Sequence, residues 1–231
     1  MMDGVLFGAK HCHEWGLELL KFENRLPALE ENLIKVPGMT GYLDITDFPM
    51  QTPFNDRILQ FTFMTAKKVK GAAWDAMISE IANHLHGRKM KIILDQDYNY
   101  YYYGRCYIDD STDREQYKVV IRCTCDPYKY EILSSVDDWL WDPFNFENGI
   151  IRGYKDLYVE DTLTVAVYGS RMPTVPTIVT DAEMTVEFQG KTYDLVIGEN
   201  RILDIDLLEG ENQLIFSGTG IVSVVFWGGS L

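Results

Sequence analysis

Long apolar runs are missing from this sequence. The longest near the C-terminus, Val224 to Trp227, covers four residues, against about 20 needed to cross a bilayer as a helix. The opening Met1-Met2-Asp3-Gly4 lacks a basic start followed by an apolar core, so no secretory signal is expected and a soluble protein made in the cytoplasm is. Basic residues are scarce: 21 Lys and Arg stand against 35 Asp and Glu, a net charge of -14. The deficit is uneven. Residues 1–127 hold 15 basic and 18 acidic side chains, while residues 128–231 hold 6 and 17. Such a surface repels phosphate and anionic lipid, which argues against sequence-specific nucleic-acid binding and membrane insertion.

Cysteine is also sparse. Cys12, Cys106, Cys123 and Cys125 are the four, and in a reducing compartment they read as small apolar core residues. A metal site would have to join His11, Cys12 and His13 to Cys123 and Cys125. Neither the Cys-x-Cys nor the His-x-His spacing fits a common zinc template, so no metal and no cofactor is expected. Catalytic signatures are absent as well. There is no Gly-x-Ser-x-Gly elbow, no phosphate-binding loop, no His-Glu-x-x-His and no dinucleotide fingerprint.

What the chain does hold is alternation. Leu59, Phe61 and Phe63 alternate with Gln60 and Thr62, and Tyr117 to Cys125 alternates over a longer stretch, the period of a strand with one buried face. A hairpin around Asp109 to Glu115 precedes that last strand, and Asp126-Pro127 ends it. Ala72 to His86 is the one convincing helix, with Trp74, Met77, Ile78, Ile81 and Leu85 on a single stripe. Gly87 stops it, and His84 and His86 place positive charge at the negative end of the dipole. Val36-Pro37-Gly38-Met39 reads as a type II turn with a strand resuming over Tyr42 to Thr46. Glu23 to Asn32 reads as loop or a short helix.

Tyr100, Tyr101, Tyr102 and Tyr103 form the most unusual run. In a strand they put two rings on each face. Ordinary strand packing, or burial against a neighbouring subunit, explains them better than a stacking platform for bases or sugars. After Pro127 the chain changes character. Tyr128 to Tyr154 is an aromatic connector with Trp139, Trp141, Phe144 and Phe146. From Asp161 the pattern is all β, with turn signals at the spacing of a β-sandwich. Strands are expected at Leu163 to Val167, Met184 to Phe188, Thr192 to Val196, Leu203 to Leu207, Leu214 to Phe216 and Ile221 to Trp227. Two domains follow, 1–127 and 128–231.

Two functional alternatives attach to the second half. Tyr154, Tyr158, Tyr168, Tyr193 and Trp227 are candidates for glycan contact, which would make the domain a carbohydrate-binding module. Asp204 and Asp206, on one side of a predicted strand, would be the acid-base pair of a hydrolase. Such pairs normally come from separate elements, so two solvated aspartates explain the spacing better. Asp95, Asp97, Asp109, Asp110 and Asp113 lack the calcium-loop pattern and read as polar hairpin tips.

Several stretches in fixed order carry a family resemblance: Gly4-Val5-Leu6-Phe7-Gly8, the Val36-Pro37-Gly38-Met39-Thr40-Gly41-Tyr42-Leu43-Asp44 turn, Arg57-Ile58-Leu59-Gln60-Phe61, the single helix with its Trp, Leu94-Asp95-x-Asp97, Cys125-Asp126-Pro127-Tyr128, Leu208 to Gly218, and the closing Trp227-Gly228-Gly229-Ser230-Leu231. In their order and spacing the chain resembles the distal tail (Dit) proteins of siphophages and related prophages over nearly its whole length. The resemblance implies a mainly β fold: an N-terminal β-sandwich-like ring domain with one α-helix and a β-hairpin, then a galectin-like antiparallel β-sandwich. It implies a non-enzymatic virion protein at the tail tip, assembled in the host cytoplasm into a hexameric ring. The implied partners are other copies of the chain, the tail tube protein, the tail-tip or baseplate hub protein, and a receptor-binding protein or host glycan. The second domain is short and carries no long insertion, so a built-in receptor-binding module is not expected.

Overall fold

The computed structural model describes residues 4–46, 53–137 and 153–231. The architecture is mainly β, with a single α-helix among the described residues. The chain forms two compact units, one running to Lys129 with Leu231 added, the other from Tyr130 to Ser230.

In the first unit the strands are β1 (Val5–Phe7), β2 (Lys10–His11), β3 (Leu17–Arg25), β4 (Leu33–Ile34), β5 (Leu43–Asp44), β6 (Arg57–Thr65), β7 (Lys89–Leu94), β8 (Tyr100–Ile108) and β9 (Lys118–Cys125), with α1 at Ala72–Leu85. One antiparallel sheet runs in the order β2-β1-β7-β8-β9-β6-β3. Strand β6 shows why it forms: every second residue from Arg57 to Thr65 is buried, and the alternates are partly or fully exposed. The apolar stripe of α1 buries Trp74, Ile81 and Leu85 in the same core as Phe7, Phe61, Phe63, Ile92 and Ile121. Phe7 meets Phe61 edge-on at 5.5 Å, and Phe22 stacks on Phe61 at 5.0 Å. Each such ring contributes roughly 1.5–3 kcal/mol by leaving water.

The helix has no side-chain cap at its start, where Gly71 sits at φ 58°. Its end is tied down by histidines. His84 Nε2 lies 2.8 Å from the Phe7 carbonyl, and His86 Nδ1 accepts the Ile108 N–H at 3.1 Å. These side chains join the helix end to the sheet as hydrogen-bonding groups, where the sequence reading expects them to serve as charges at the dipole. Gly104 marks a close approach between β8 and β9. A Cβ there would lie 2.5 Å from the Thr124 carbonyl oxygen and 2.6 Å from Cys125 Cα.

A short strand β10 (Lys129–Glu131) spans the border of the units. The second unit holds β11 (Leu157–Gly169), β12 (Thr177–Thr180), β13 (Met184–Phe188), β14 (Lys191–Leu195), β15 (Gly198–Asn200), β16 (Gly210–Val225) and β17 (Gly229–Ser230). Strand β16 is its axis: β11 pairs along one edge, while β13 and then β12 share the other. The change of partner falls at Gly218 and Gly220, which pair opposite Asp161 and Val159. Gly218 has φ 140°, and a Cβ there would meet Met184 Cβ at 2.8 Å. Only glycine lets β16 pass that close. The sequence reading splits this strand into two at those glycines. The structure keeps it continuous because both halves share β11.

Two loops of this unit are closed by the same device. Asn200 Oδ1 accepts the Val196 N–H, and its Nδ2 donates to the carbonyls of Val196, Gly198 and Ile178. Asn212 repeats this with Leu208, Gly210 and Val167. Both sit in a Gly-Glu-Asn triplet, and both glycines have positive φ, 102° and 94°. The buried amide satisfies backbone groups that would otherwise be orphaned inside each loop.

Candidate functional site

Between Arg25 and Arg57 the chain leaves the sheet and returns as an arm. Strands β4 and β5 pair with Leu33 opposite Asp44 and Ile34 opposite Leu43. The ladder continues towards the sheet through Ile45 N–H to the Asn32 carbonyl, Glu30 N–H to Pro53 and Asn55 N–H to Ala28. The tip is the expected turn: Met39 N–H donates to the Val36 carbonyl, with Gly38 at φ 84°. Arm side chains are apolar yet exposed, including Leu26 (70%), Tyr42 (60%), Met39 (47%), Leu43 (45%), Leu33 (44%) and Ile34 (44%). None of them joins the core of the first unit. Apolar side chains gathered on a two-stranded extension form the kind of exposed surface at which proteins interact.

The arm is rooted by a buried cation. Arg57 is 1% exposed. Its Nε donates to the Pro127 carbonyl at 2.9 Å, its Nη1 donates to Asn24 Oδ1 at 3.1 Å, and its guanidinium lies 5.4 Å from the Tyr102 ring centre. Asn24 Nδ2 donates in turn to the Tyr102 hydroxyl at 3.3 Å. Burial pushes the Arg57 pKa down, and Tyr102 opposes that shift. The remaining Nη2 is buried without a hydrogen-bond partner. The group thus ties the end of β3, the start of β6, β8 and the chain after β9 to one point.

The four tyrosines lie in β8 as expected, two to each face, and each ring has a cation over it. Lys129 Nζ is 4.1 Å from the Tyr100 ring centre, Lys91 Nζ 4.2 Å from Tyr101, Arg57 Cζ 5.4 Å from Tyr102 and Lys89 Nζ 4.7 Å from Tyr103. Register explains the contacts of Tyr101 and Tyr103. Lys91 opposes Tyr103 and Lys89 opposes Arg105, so each lysine reaches diagonally to the ring two residues away. Lys89 also binds Asp126 at 2.8 Å, and Lys129 binds Asp97 at 2.6 Å. Tyr102 is buried and the other three are half-buried. Desolvation raises the pKa of both Tyr101 and Tyr102. The run is therefore engaged within its own unit, and the more exposed apolar surface is the arm. The sequence reading has the turn and the strand after it but takes Glu23 to Asn32 as loop or a short helix. It does not show that the arm's apolar residues stay exposed, because exposure depends on neighbours distant in the chain.

The glycan candidates of the second unit separate. Tyr154 is buried, its ring 6.0 Å from Phe226 and its hydroxyl accepting the Tyr168 N–H at 3.0 Å. Tyr158 (61%) and Trp227 (46%) are exposed. Tyr168 and Tyr193 donate to Glu211 and Asp204, each at 3.3 Å. A hollow of about 290 Å³ is lined by Glu187, Phe188, Gln189, Gly190, Glu211, Asn212, Gln213 and Ile215, and includes none of the five candidates. The predicted strand over Leu203 to Leu207 is not formed. Ile205 N–H closes a turn on the Ile202 carbonyl, and Leu207 alone bridges to Thr174. Ile205 and Leu207 still point inward while Leu203 is 75% exposed, so two buried side chains account for the alternation. Trp139, Trp141, Phe144 and Phe146 lie outside the described residues.

His11, Cys12 and His13 bring their donor atoms within 4.8 Å of one another, without Cys123 or Cys125. Their visible work is local. His11 Nδ1 accepts the His13 N–H, Glu14 accepts the His11 N–H, and His11 Nε2 meets Asp95 Oδ1 at 3.2 Å. Cys12 Sγ accepts the Val5 N–H at 3.4 Å, and burial pushes that thiol up. This is a capped 3-10 turn (Cys12–Trp15) docked on the sheet.

No protein-family model matches the sequence, and no curated protein does. Among solved structures, one match is the SPP1 Dit protein (gp 19.1), described as a paradigm of the hub adsorption apparatus in phages infecting Gram-positive bacteria. It is 13% identical, superposes with a TM-score of 0.66 and is covered over 100% of both chains. A second is the phage p2 baseplate in its activated conformation with Sr, at 10% identity, a TM-score of 0.35 and 98% coverage of each chain. Across its full length, this chain has the fold of the SPP1 distal tail protein.

Proposed function

We propose that the protein is a non-enzymatic structural component of a phage tail tip, which assembles into a ring joining the tail tube to the baseplate and docks other tail proteins. The observation that carries this reading is the full-length likeness to a protein described as an adsorption hub. The first unit would form the ring, hexameric by family resemblance, and the second, galectin-like unit would project from it. The exposed arm supports self-assembly: it offers apolar surface on a hairpin held at Arg57, which suits a contact made between copies.

The test is the mass of the full-length protein in solution across concentration, with negative-stain images of the same sample. Rings of uniform size, lost when arm residues are made polar, bear the proposal out. A monomer at all concentrations that also fails to join purified tail-tube or baseplate proteins overturns it. A second reading, carbohydrate binding, draws on the exposed Tyr158 and Trp227 rings. Glycan titration of the full chain against its Trp227→Ala variant tests it, and equal or absent binding in both removes it.

A further inference from the structure

Two cysteines face each other across β8 and β9 in the core of the first unit. Cys106 and Cys123 are register partners, both fully buried, with their sulfurs 3.1 Å apart. That is about 1 Å beyond the ~2.05 Å of a disulfide bond. The backbone arrangement suits a bond as well. The Cys106 carbonyl accepts the Gly87 N–H at 2.8 Å, and the Cys106 N–H donates to the Arg88 carbonyl at 3.1 Å. Both groups are used on the side away from β9, so Cys106 and Cys123 form a non-hydrogen-bonded pair. Such pairs bring their Cα atoms to about 4.5 Å, inside the window of roughly 4.4–6.8 Å that a disulfide spans. The other thiols lack a sulfur opposite them: Cys125 pairs with Gly104, and Cys12 contacts the Val5 amide.

We propose that Cys106 and Cys123 are a latent cross-strand disulfide site, closed by a small peroxide, that clamps β8 to β9. One thiolate attacks an oxygen of hydrogen peroxide, giving a sulfenic acid and, after protonation, water. The second sulfur attacks the sulfenic sulfur, the S–S bond forms, and the hydroxide leaves as a second water. Two thiols and one peroxide become one disulfide and two waters. Each sulfur gives up one electron, and the peroxide takes both. A water-sized oxidant suits a closed core that excludes bulky disulfides. Burial and the neighbouring Cys106 thiol push the Cys123 thiol well up, so little thiolate is present at neutral pH and the closure is slow.

The experiment treats the folded full-length protein with hydrogen peroxide, quenches it, unfolds it in guanidinium with iodoacetamide and weighs it intact. The expected result is two labels in place of four, restored to four by dithiothreitol. Cys125→Ala falls from three labels to one, whereas Cys106→Ala and Cys123→Ala keep three. In the wild type, fragmentation of the unreduced tryptic pair joining Cys106 to the peptide Cys123–Lys129 assigns the sulfur without any variant. Four labels after oxidation, a loss that dithiothreitol does not reverse, or a link through Cys12 or Cys125 overturns the proposal. A raised midpoint of thermal unfolding in the oxidised wild type, and none in oxidised Cys123→Ala, is expected alongside.

Discussion

The tyrosine run and the arm belong to the same unit and use apolar surface in opposite ways. Tyr100 to Tyr103 are concentrated in one strand, and each is covered by a cation from its own unit. The arm's aliphatic residues are dispersed and stay exposed, with Ile34 opposite Leu43 but Leu33 opposite Asp44 and Leu29 opposite Phe54. Density of aromatics is therefore a poor guide to where apolar surface stays exposed. Register decides it: a strand in mid-sheet finds neighbours on both sides, and a two-stranded extension has none beyond its own pair. Arg57 touches both regions, stacked on Tyr102 and set at the root of the arm.

The contrast can be broken most sharply in the arm. Leu33→Ser, Ile34→Ser and Leu43→Ser together are expected to abolish self-association, read as a collapse of the solution mass to that of one chain. The unfolding midpoint should barely move, because exposed substitutions cost under about 0.5 kcal/mol each. A triple variant that still assembles would return the interface to another surface. Next in size is the root. Arg57→Ala leaves the Asn24 and Pro127 acceptors unpaired and opens a cavity, for a loss of about 3 kcal/mol by urea denaturation. Little or no loss would show that the root does not anchor the arm.

Smaller effects are expected from the tyrosines. Tyr102→Phe removes the acceptor of Asn24 and should cost about 1 kcal/mol. Lys91→Ala uncovers Tyr101 and should cost about 0.5–1 kcal/mol with assembly unchanged. Loss of assembly in Lys91→Ala would mean that the covered tyrosines do meet a partner. The smallest effect is a pH response in the arm. Hydrogen bonds from the Thr46 hydroxyl and N–H hold the Asp44 carboxyl below its ordinary value. A folded-state pKa that is depressed gives stability present above the unfolded value and lost as pH falls through the folded one. Amide exchange at Thr46, after correction for intrinsic rates, should therefore lose protection below the ordinary carboxylate range. Protection independent of pH would remove the Asp44 contribution.

Much of the fold is legible because local patterns and tertiary contacts agree. The alternation over Arg57 to Met64 and over Val119 to Cys125 becomes β6 and β9, neighbours in register. The stripe from Trp74 to Leu85 becomes α1, packed on that sheet. Glycine misleads where a contact far along the chain sets its role. Gly218 and Gly220 look like breakers, yet they keep β16 whole by letting it pass Met184, Asp181 and Ala182. The Leu203 to Leu207 alternation misleads for the converse reason, since two inward side chains fit an irregular segment as well as a strand. The Gly-Glu-Asn loops carry a readable repeat, but the staple itself needs the Ile178 and Val167 carbonyls, which arrive from other strands.

By itself, the sequence determined the mainly β character, the one α-helix, the turn at Val36 to Met39 and the inward faces of its main strands. Those follow from periodicity and from the dihedral limits of proline and glycine, which act within a few residues. Only the tertiary structure decided which apolar residues are covered. It took partners from β7 and the chain after β9 to cover the tyrosines, and the absence of the arm from the core to leave its leucines in water. It also placed Cys106 opposite Cys123. Burial and register are properties of pairs distant in sequence, and no local pattern holds that information.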